Sequence, residues 1–489
     1  MKKRVAIRLD AGPAIGSGHL MRCLTIADAL FQRYQVEVVF ICRNPISIQL
    51  KYKIIYLKNE YNMQYDSYSY PALDDEVAEL VSVLEYEKIE VLLVDHYGAG
   101  DSYFERLREY VKYLFVVDDG LGRNISVDGI INGNLYGVFS DYKLIPMQLV
   151  GGQYTLLRDE FCRSFHHKIN NHINDIFITS GGADPTKFCL TMLQSMYSWN
   201  NNINYHVIVG NDFDEKYILQ LEACHAKIHI NASMKECMLQ ADLFISSAGS
   251  TLYELIVTHT PSISFCISKD QEILAKTIWN MELSAKGGNY PSFNELEFHS
   301  LLENYSLFNK REEQSRNMKN VIAIDGAKRV ADRIYKKVFS EQAFLLRPVE
   351  KSDCDVLFRW ANDDTNRNNS FSKEKIGYID HCKWFANKLK DQKCHIYIFE
   401  QSGVEIGQVR LDGAEEAEID YYISPAFRGR KLSIKMLQLI EKVVKSSDFG
   451  INFLVARVLE HNIISKRVFC RLGYQEEITA SYVLYRKKI

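Results

Sequence analysis

The stretch Arg4-Val-Ala-Ile-Arg-Leu-Asp10-Ala-Gly12-Pro-Ala-Ile-Gly16-Ser-Gly18-His19-Leu20-Met-Arg-Cys23-Leu24-Thr-Ile-Ala27-Asp-Ala-Leu30 reads as a strand, a glycine loop and a helix. The apolar run to Leu9 has the length and density of a strand buried on both faces. Leu20, Cys23, Leu24, Ala27 and Leu30 then recur at helical spacing, which places His19 in the first turn of the helix. Glycines in such a loop let the backbone approach a ligand closely, and the start of a helix attracts negative charge. The loop therefore suits a diphosphate. The positive end of the helix disfavours an imidazolium, so His19 is expected to be neutral at pH 7 and able to take a proton from water. The plainer alternative is a histidine at a cap or at the edge of a core.

Working outward, VEVVFIC, VLLVDH and LFVVDD follow VAIRL with helical stretches between them, as far as about Ile131. Strands alternating with helices in this way predict a parallel, doubly wound sheet. From about Asn174, DIFITSGG, YHVIVGN, AKIHI, ADLFISSAGS and PSISFC repeat the pattern and predict a second Rossmann-like sheet. Open sheets bind ligands at the carboxyl ends of their strands, so two in tandem predict a cleft. GAKRVADRIYKKVF reads as a closing helix. After it, CHIYIFE, VEIGQVRLDG and AEIDYYIS read as antiparallel strands. A helix from about Lys431, the strand INFLVARVLE and a helix from about Asn462 complete an α+β domain. The expected domains are 1–160, 161–340 and 341–489, sizes in keeping with ordinary single cores.

Composition narrows the function. A net charge of −3 leaves no basic excess for nucleic-acid binding by counterion release. No apolar run reaches the roughly 18–20 residues needed to cross a bilayer, and MKKRVAIRLDAG lacks the features of a signal peptide. The 11 cysteines are scattered without a CxxC pair, as reduced cytoplasmic thiols would be, and no histidine spacing fits a metal site. The chain is expected to be cytoplasmic, without metal, nucleic-acid or membrane partner.

In the second sheet, Ser180-Gly181-Gly182 and Ser247-Ala-Gly249-Ser250-Thr251 end strands and can present backbone N–H groups to phosphate oxygens. Glu254 lies one turn into the next helix. Its carboxylate can accept both ribose hydroxyls, or it can close a capping box with Thr251. Asp95 and His96 end a strand and either line a sugar pocket or cap a turn.

RLDAGPAIGSGHLMRCLTIADAL closely resembles the opening of the PseG-type UDP-2,4-diacetamido-2,4,6-trideoxy-β-L-altropyranose hydrolases of pseudaminic acid biosynthesis. The likeness continues through LLVDHYG, VVDDGLGR, QYTLLRDEF, SGGADP and SSAGSTLYEL, over about residues 1–335. It implies a glycosyltransferase-B arrangement of the two sheets, His19 as catalytic base, and Asp10, Gly16, Gly18, Asp95, His96, Gly181, Gly182, Gly249, Ser250, Thr251 and Glu254 around the UDP-sugar. Gly12-Pro13 departs from the family's loop. Hydrolysis rather than sugar transfer rests on this resemblance, since both reactions use the same kind of cleft. A glycosyltransferase fused to a protein N-acetyltransferase and a non-catalytic UDP-sugar-binding regulator stay open as alternatives.

Ile423-Ser-Pro-Ala-Phe-Arg428-Gly429-Arg-Lys431-Leu-Ser433 follows a strand and opens a helix. It resembles the acetyl-CoA loop of the GNAT superfamily, with Lys431 and Ser433 where that loop carries small residues; the plainer alternative is an ordinary basic loop. Asn462-Ile-Ile-Ser465-Lys-Arg-Val-Phe469-Cys-Arg-Leu-Gly473-Tyr474 resembles the superfamily's closing helix. LLRPVEKSDCDVLFRWANDD resembles its ribosomal-protein-acetyltransferase branch. The resemblance implies acetyl-CoA as cosubstrate, held by Ile423, Arg428, Gly429, Lys431, Ser433, Asn462 and Ser465. Phe469 stands where many members carry a tyrosine that protonates the departing thiolate. Glu418 and Asp420 share one strand face and are candidate bases, or a solvated face. Fused to such a hydrolase, the domain resembles PseH, which acetylates the 4-amino group one step earlier.

Overall fold

The computed structural model describes all residues except 1–2, 12–17, 47–48, 59–72, 124, 183, 211–212 and 342. The first sheet contains β1 (Arg4–Leu9), β2 (Glu37–Cys42), β3 (Lys53–Tyr56), β4 (Val91–Asp95), β5 (Tyr113–Val117), β6 (Gly129–Asn132) and β7 (Met147–Val150). Their order is β3-β2-β1-β4-β5-β6-β7, and the pairs among β1 to β5 are parallel. β4 is buried along its whole length, and β1, β2 and β5 at all but one residue. Strands covered by helices on both faces need this continuous apolar composition. In the helix Gly18–Tyr34 the buried stripe is Cys23, Ile26, Ala27 and Leu30. Ile26 completes the i, i+3, i+4, i+7 set, and Leu24, expected inside, is only half-buried.

The second sheet contains β8 (Asp175–Thr179), β9 (Asn204–Val209), β10 (Lys227–Ile230), β11 (Leu243–Ser247), β12 (Ser262–Cys266) and β13 (Ala285–Asn289), in the order β10-β9-β8-β11-β12-β13. All its pairs are parallel. One core packs Phe244, Leu252, Ile256 and Ile278; another packs Ile176, Phe188, Val207 and Phe265. β13 runs through Lys286-Gly-Gly-Asn289, where a Cβ on Gly287 would come within 2.6 Å of the Phe265 ring. The glycine admits that ring, so the strand carries no apolar alternation.

Both parallel sheets wind outward in two directions. In the first the direction reverses between β1 and β4, in the second between β8 and β11. A crevice opens outside the carboxyl ends of the strands at such a reversal. His19 follows β1 and Asp95 ends β4; the turns at 180–182 and 248–251 follow β8 and β11.

The third sheet is mixed: β14 (Leu345–Pro348), β15 (Cys394–Gln401), β16 (Val404–Gly413), β17 (Glu416–Ile423), β18 (Phe453–Val458), β19 (Gln475–Ile478) and β20 (Val483–Lys488), ordered β14-β15-β16-β17-β18-β20-β19. β14 to β17 pair antiparallel. β17 and β18 are parallel, but their pairing covers only Glu416–Glu418 against Phe453–Val455. Beyond Glu418 they splay apart, leaving a wedge.

Residues 1–120, 131–137 and 149–331 form one compact unit; 121–130, 138–148 and 332–489 form another. Inside the second, the Phe139 ring packs edge-on against Phe358 and Tyr378 at 6.0 and 5.8 Å. No helix among the described residues is long and apolar enough to cross a membrane.

Candidate functional site

His19 is the second residue of its helix, and its side chain is 7% exposed. Its Nδ1 lies 2.7 Å from Asp95 Oδ1 and 3.1 Å from Arg22 Nη2. Arg22 donates to both oxygens of Asp95, at 2.6 Å from Nε and 2.5 Å from Nη2, and its Nη1 donates to Asp119 at 2.6 Å. The Tyr97 ring stands edge-on to His19 at 4.8 Å, and its hydroxyl donates to Asp119 at 2.5 Å.

Burial alone would raise the Asp95 carboxyl, but Arg22 and His19 outweigh it and hold the group well below the usual carboxylate range. Asp119 is held low against burial by Arg22 and Tyr97. Two ionised carboxylates thus flank one guanidinium. A carboxylate accepts only, so the short contact to Asp95 assigns the hydrogen to Nδ1.

Asp95 and His96 are both buried. Asp95 is fully buried beneath His19 and spends both oxygens on His19, Arg22 and Cys23. Asp10 is equally buried: it accepts from Arg8 at 2.9 Å and from the Arg43 amide at 2.7 Å, and approaches His96 Nε2 at 3.4 Å. His96 accepts the Gly98 amide on Nδ1, and burial lowers its pKa. Asp10 and His96 form a polar layer under the crevice. Gly18 begins the helix, and a Cβ there would meet nothing within 4 Å. Gly16, with Gly12 and Pro13, lies outside the described residues.

At the second reversal, Ser247 Oγ donates to the Ser180 carbonyl at 3.1 Å and joins the two turns. Gly181 has φ +105°, a conformation that favours glycine, and its amide donates to Thr179 Oγ1 at 3.2 Å. Gly182 lies against Gly210, where a Cβ would come within 2.3 Å of its carbonyl oxygen. Gly249 and Ser250 lead into the helix Thr251–Thr258. Ser250 is its N-cap and makes no side-chain cap bond; the Leu252 and Tyr253 amides donate to the Gly249 and Ser250 carbonyls at 3.1 and 3.0 Å.

Glu254 is the fourth residue of that helix, one position too far along for the capping box. Arg158 takes its carboxylate in a bidentate pair at 2.7 and 2.8 Å. Burial pushes this carboxyl up although Arg158 pulls it down. Next to it, Tyr253 donates to Asn134 Oδ1 at 2.9 Å, and Asn134 Nδ2 donates to Asp119 Oδ1 at 2.9 Å. Hydrogen bonds thus run unbroken from His19 to the helix that carries Glu254.

In the second unit, Gly429 has φ +78°, and a Cβ there would meet nothing within 4 Å. Lys431 is the N-cap of the helix Leu432–Ser446 and is itself left-handed, at φ +60°. The loop has kept a glycine-like backbone where the sequence has lost the glycine. Arg428 is tied down: Nε donates to the Ile423 carbonyl at 3.0 Å, Nη2 to Asp363 at 2.8 Å, and the guanidinium covers the Tyr422 ring. Ser433 lies in the first turn of the helix Leu432–Ser446.

A cavity of about 710 Å³ lies beside the wedge, lined by Trp384, Arg410, Glu418, Asp420, Tyr421, Asn462, Ser465 and Phe469, among others. Asn462 caps the closing helix by accepting the Ser465 amide at 3.2 Å. The Tyr421 hydroxyl donates to Ser465 Oγ at 3.0 Å, and its ring meets Phe469 edge-on at 5.9 Å. Glu418 is spent on a bidentate pair with Arg457 at 2.7 and 2.8 Å. Asp420 is looser, 3.4 Å from Arg410 and 3.5 Å from Gln408, and faces the cavity.

Sequence reading missed Arg22, Asp119, Asn134, Arg158 and Tyr421. Arg22 had a signal, one helical turn after His19; the others meet their partners only through topology. Among the described residues, no group of three or more His, Cys, Asp or Glu side chains is gathered as metal ligands would be.

A family model for the acetyltransferase (GNAT) domain matches residues 344–475. The N-terminal part is homologous to the UDP-2,4-diacetamido-2,4,6-trideoxy-beta-L-altropyranose hydrolase of Campylobacter jejuni, 25% identical over 284 residues, which are 56% of this chain and 94% of that protein. An uncharacterized protein of Methanocaldococcus jannaschii, MJ1062, is 22% identical over 503 residues, 97% of each chain. The crystal structure of MurG from Acinetobacter baumannii aligns with a TM-score of 0.50 at 12% identity, covering 68% of this chain and 99% of that one. The chain thus joins two Rossmann-like sheets in a glycosyltransferase-B arrangement to an α+β GNAT domain. A nucleotide-sugar-hydrolase-like region and an acetyltransferase domain in one chain mark it as an enzyme.

Proposed function

We propose that the chain carries out two consecutive steps on UDP-linked amino sugars. Residues 341–489 transfer an acetyl group from acetyl-CoA to the 4-amino group of a UDP-linked 2,4,6-trideoxy-altropyranose. Residues 1–160 and 161–340 then hydrolyse UDP-2,4-diacetamido-2,4,6-trideoxy-β-L-altropyranose. The observation that carries the hydrolase reading is His19 at the first strand reversal, its Nδ1 held 2.7 Å from a buried, ionised Asp95. Its Nε2 takes a proton from water, the water oxygen attacks the anomeric carbon, and the bond to the diphosphate oxygen breaks with inversion. The turns at Gly181–Gly182 and Gly249–Thr251 receive the diphosphate charge, and Glu254 receives the ribose hydroxyls.

For acetyl transfer, the helix opening at Lys431–Ser433 takes the pyrophosphate of acetyl-CoA, and the unpaired edge of β17 beyond Glu418 leads its thioester into the wedge. Asp420, the looser of the two cavity carboxylates, receives the proton of the incoming ammonium. Phe469 has no hydroxyl, and Tyr421, which lines the cavity, supplies the phenol that protonates the departing thiolate. The full chain reads as a small-molecule enzyme, working in the cytoplasm on soluble substrates.

The test follows CoA thiol and UDP separately with the purified full chain, acetyl-CoA and the UDP-amino sugar. Both products are expected, CoA first; His19→Asn stops UDP release and leaves CoA release in place. UDP release from His19→Asn near the wild-type rate removes the base, and no CoA release removes the acetyltransferase assignment. The MurG-like fold also suits transfer of the sugar to an acceptor, and a glycoside product instead of free sugar selects that reading.

A further inference from the structure

We infer that Asn134 is a positioning residue that fixes the His19 base relative to the helix carrying the nucleotide side of the cleft. The inference rests on the reading of His19 as base. Its starting point is geometric: the water activated from the first sheet must meet a leaving group held by the second, and a displacement of about 1 Å can cost on the order of 10²-fold in rate. Something must set that separation.

Asn134 sits between the two. Its side chain has one orientation only. Asn132 Nδ2 donates to the Gly120 carbonyl at 3.0 Å, so its Oδ1 faces Asn134 and accepts from both the amide nitrogen and Nδ2, at 3.2 and 3.0 Å. Asn134 Nδ2 also donates to Asp119, which leaves Oδ1 to accept from Tyr253. Tyr253 is nearly buried, and its hydroxyl accepts the Leu135 amide at 3.3 Å, so it too is held from both sides. Each end of the Asn134 amide is spent on a different sheet's machinery. On one side lie Asp119, Arg22, Asp95 and His19; on the other lies Tyr253, next to Glu254 and two residues from Thr251.

With Asn134 removed, Asp119 Oδ1 loses a donor, and Arg22, which bridges Asp119 and the Asp95 carboxylate under His19, loses a fixed neighbour.

Asn134→Ala is expected to lower kcat for UDP release about 10- to 100-fold. Affinity for UDP itself, measured as a competitive inhibitor, stays within about threefold. Tyr253→Phe keeps the ring and removes only the hydroxyl; it is expected to act in the same direction by about 3- to 10-fold and carries the test if the alanine variant does not fold. Because both act through one chain of bonds, the double variant is expected to be no worse than Asn134→Ala alone. UDP affinity falling in step with kcat, or two effects that simply multiply, would overturn the inference. An active His19→Asn enzyme instead sinks the base assignment itself; an inactive one beside an unimpaired Asn134→Ala sinks only the positioning role.

Discussion

Replacing Asp95 by Asn tests the geometry at the base most directly. Asp95 Oδ1 takes His19 Nδ1 at 2.7 Å and Arg22 Nη2 at 2.5 Å, while Oδ2 takes Arg22 Nε at 2.6 Å. An amide has one acceptor end. With its oxygen toward His19, its NH₂ faces the Arg22 Nε–H; reversed, its NH₂ faces His19 and leaves the ring proton on Nε2, where no further proton can be taken. A charge-assisted hydrogen bond of this kind contributes about 1.5–3 kcal/mol, or roughly 10- to 150-fold. The wrong tautomer removes the base from a further fraction of molecules, so kcat for UDP release is expected to fall about 10²- to 10³-fold. KM should change little, because Asp95 is fully buried beneath the ring. Arg22 keeps Asp119, so the variant is expected to fold, and its thermal unfolding is recorded beside the steady-state rates. A folded Asp95→Asn enzyme with kcat within threefold of wild type would refute the tautomer argument.

In the acetyltransferase domain, Tyr421→Phe is expected to slow CoA release about 10²-fold with little change in KM for acetyl-CoA; an unchanged rate removes the phenol as proton donor. Lys431→Gly relieves a left-handed lysine, and the unfolding midpoint in urea should show a gain of about 0.5–1 kcal/mol, whereas a loss would mean that the lysine side chain secures the loop. Burial, opposed by Asp242, pushes His167 down to about 4. A depressed histidine stabilises the fold fully above its ordinary value near 6.5 and loses that contribution as pH falls toward the folded value. On the order of 3 kcal/mol should therefore vanish between pH 6.5 and 4, and a His167→Gln variant with the same pH slope excludes this histidine as the source.

The parallel strands were readable because burial on both faces leaves uninterrupted apolar runs such as Val91–Val94 and Leu243–Ile245. β13 escaped because Gly287 makes room for Phe265, and β19, Gln475–Ile478, because all four of its residues are exposed. His19 and Asp95 were each conspicuous. Their union was not, because 76 residues separate them and only the order β1 beside β4 brings them together. The same holds for Arg158 and Glu254, 96 residues apart. Helical spacing exposed His19 on a first turn, but nothing in a linear pattern tells a carboxylate that faces a ligand from one that lies under a histidine. Lys431 concealed its loop in the opposite way, since the residue changed and the backbone did not.

If Glu254 receives the ribose as proposed, the clasp between Arg158 and Glu254 makes nucleotide capture an exchange. A ribose that takes up the carboxylate must loosen a guanidinium from it, and the freed cation stands within reach of whatever anion arrives with the sugar. Such a trade keeps the buried acid from ever standing alone, whether the cleft is filled or vacant, and spares the resting protein the penalty of an orphaned charge.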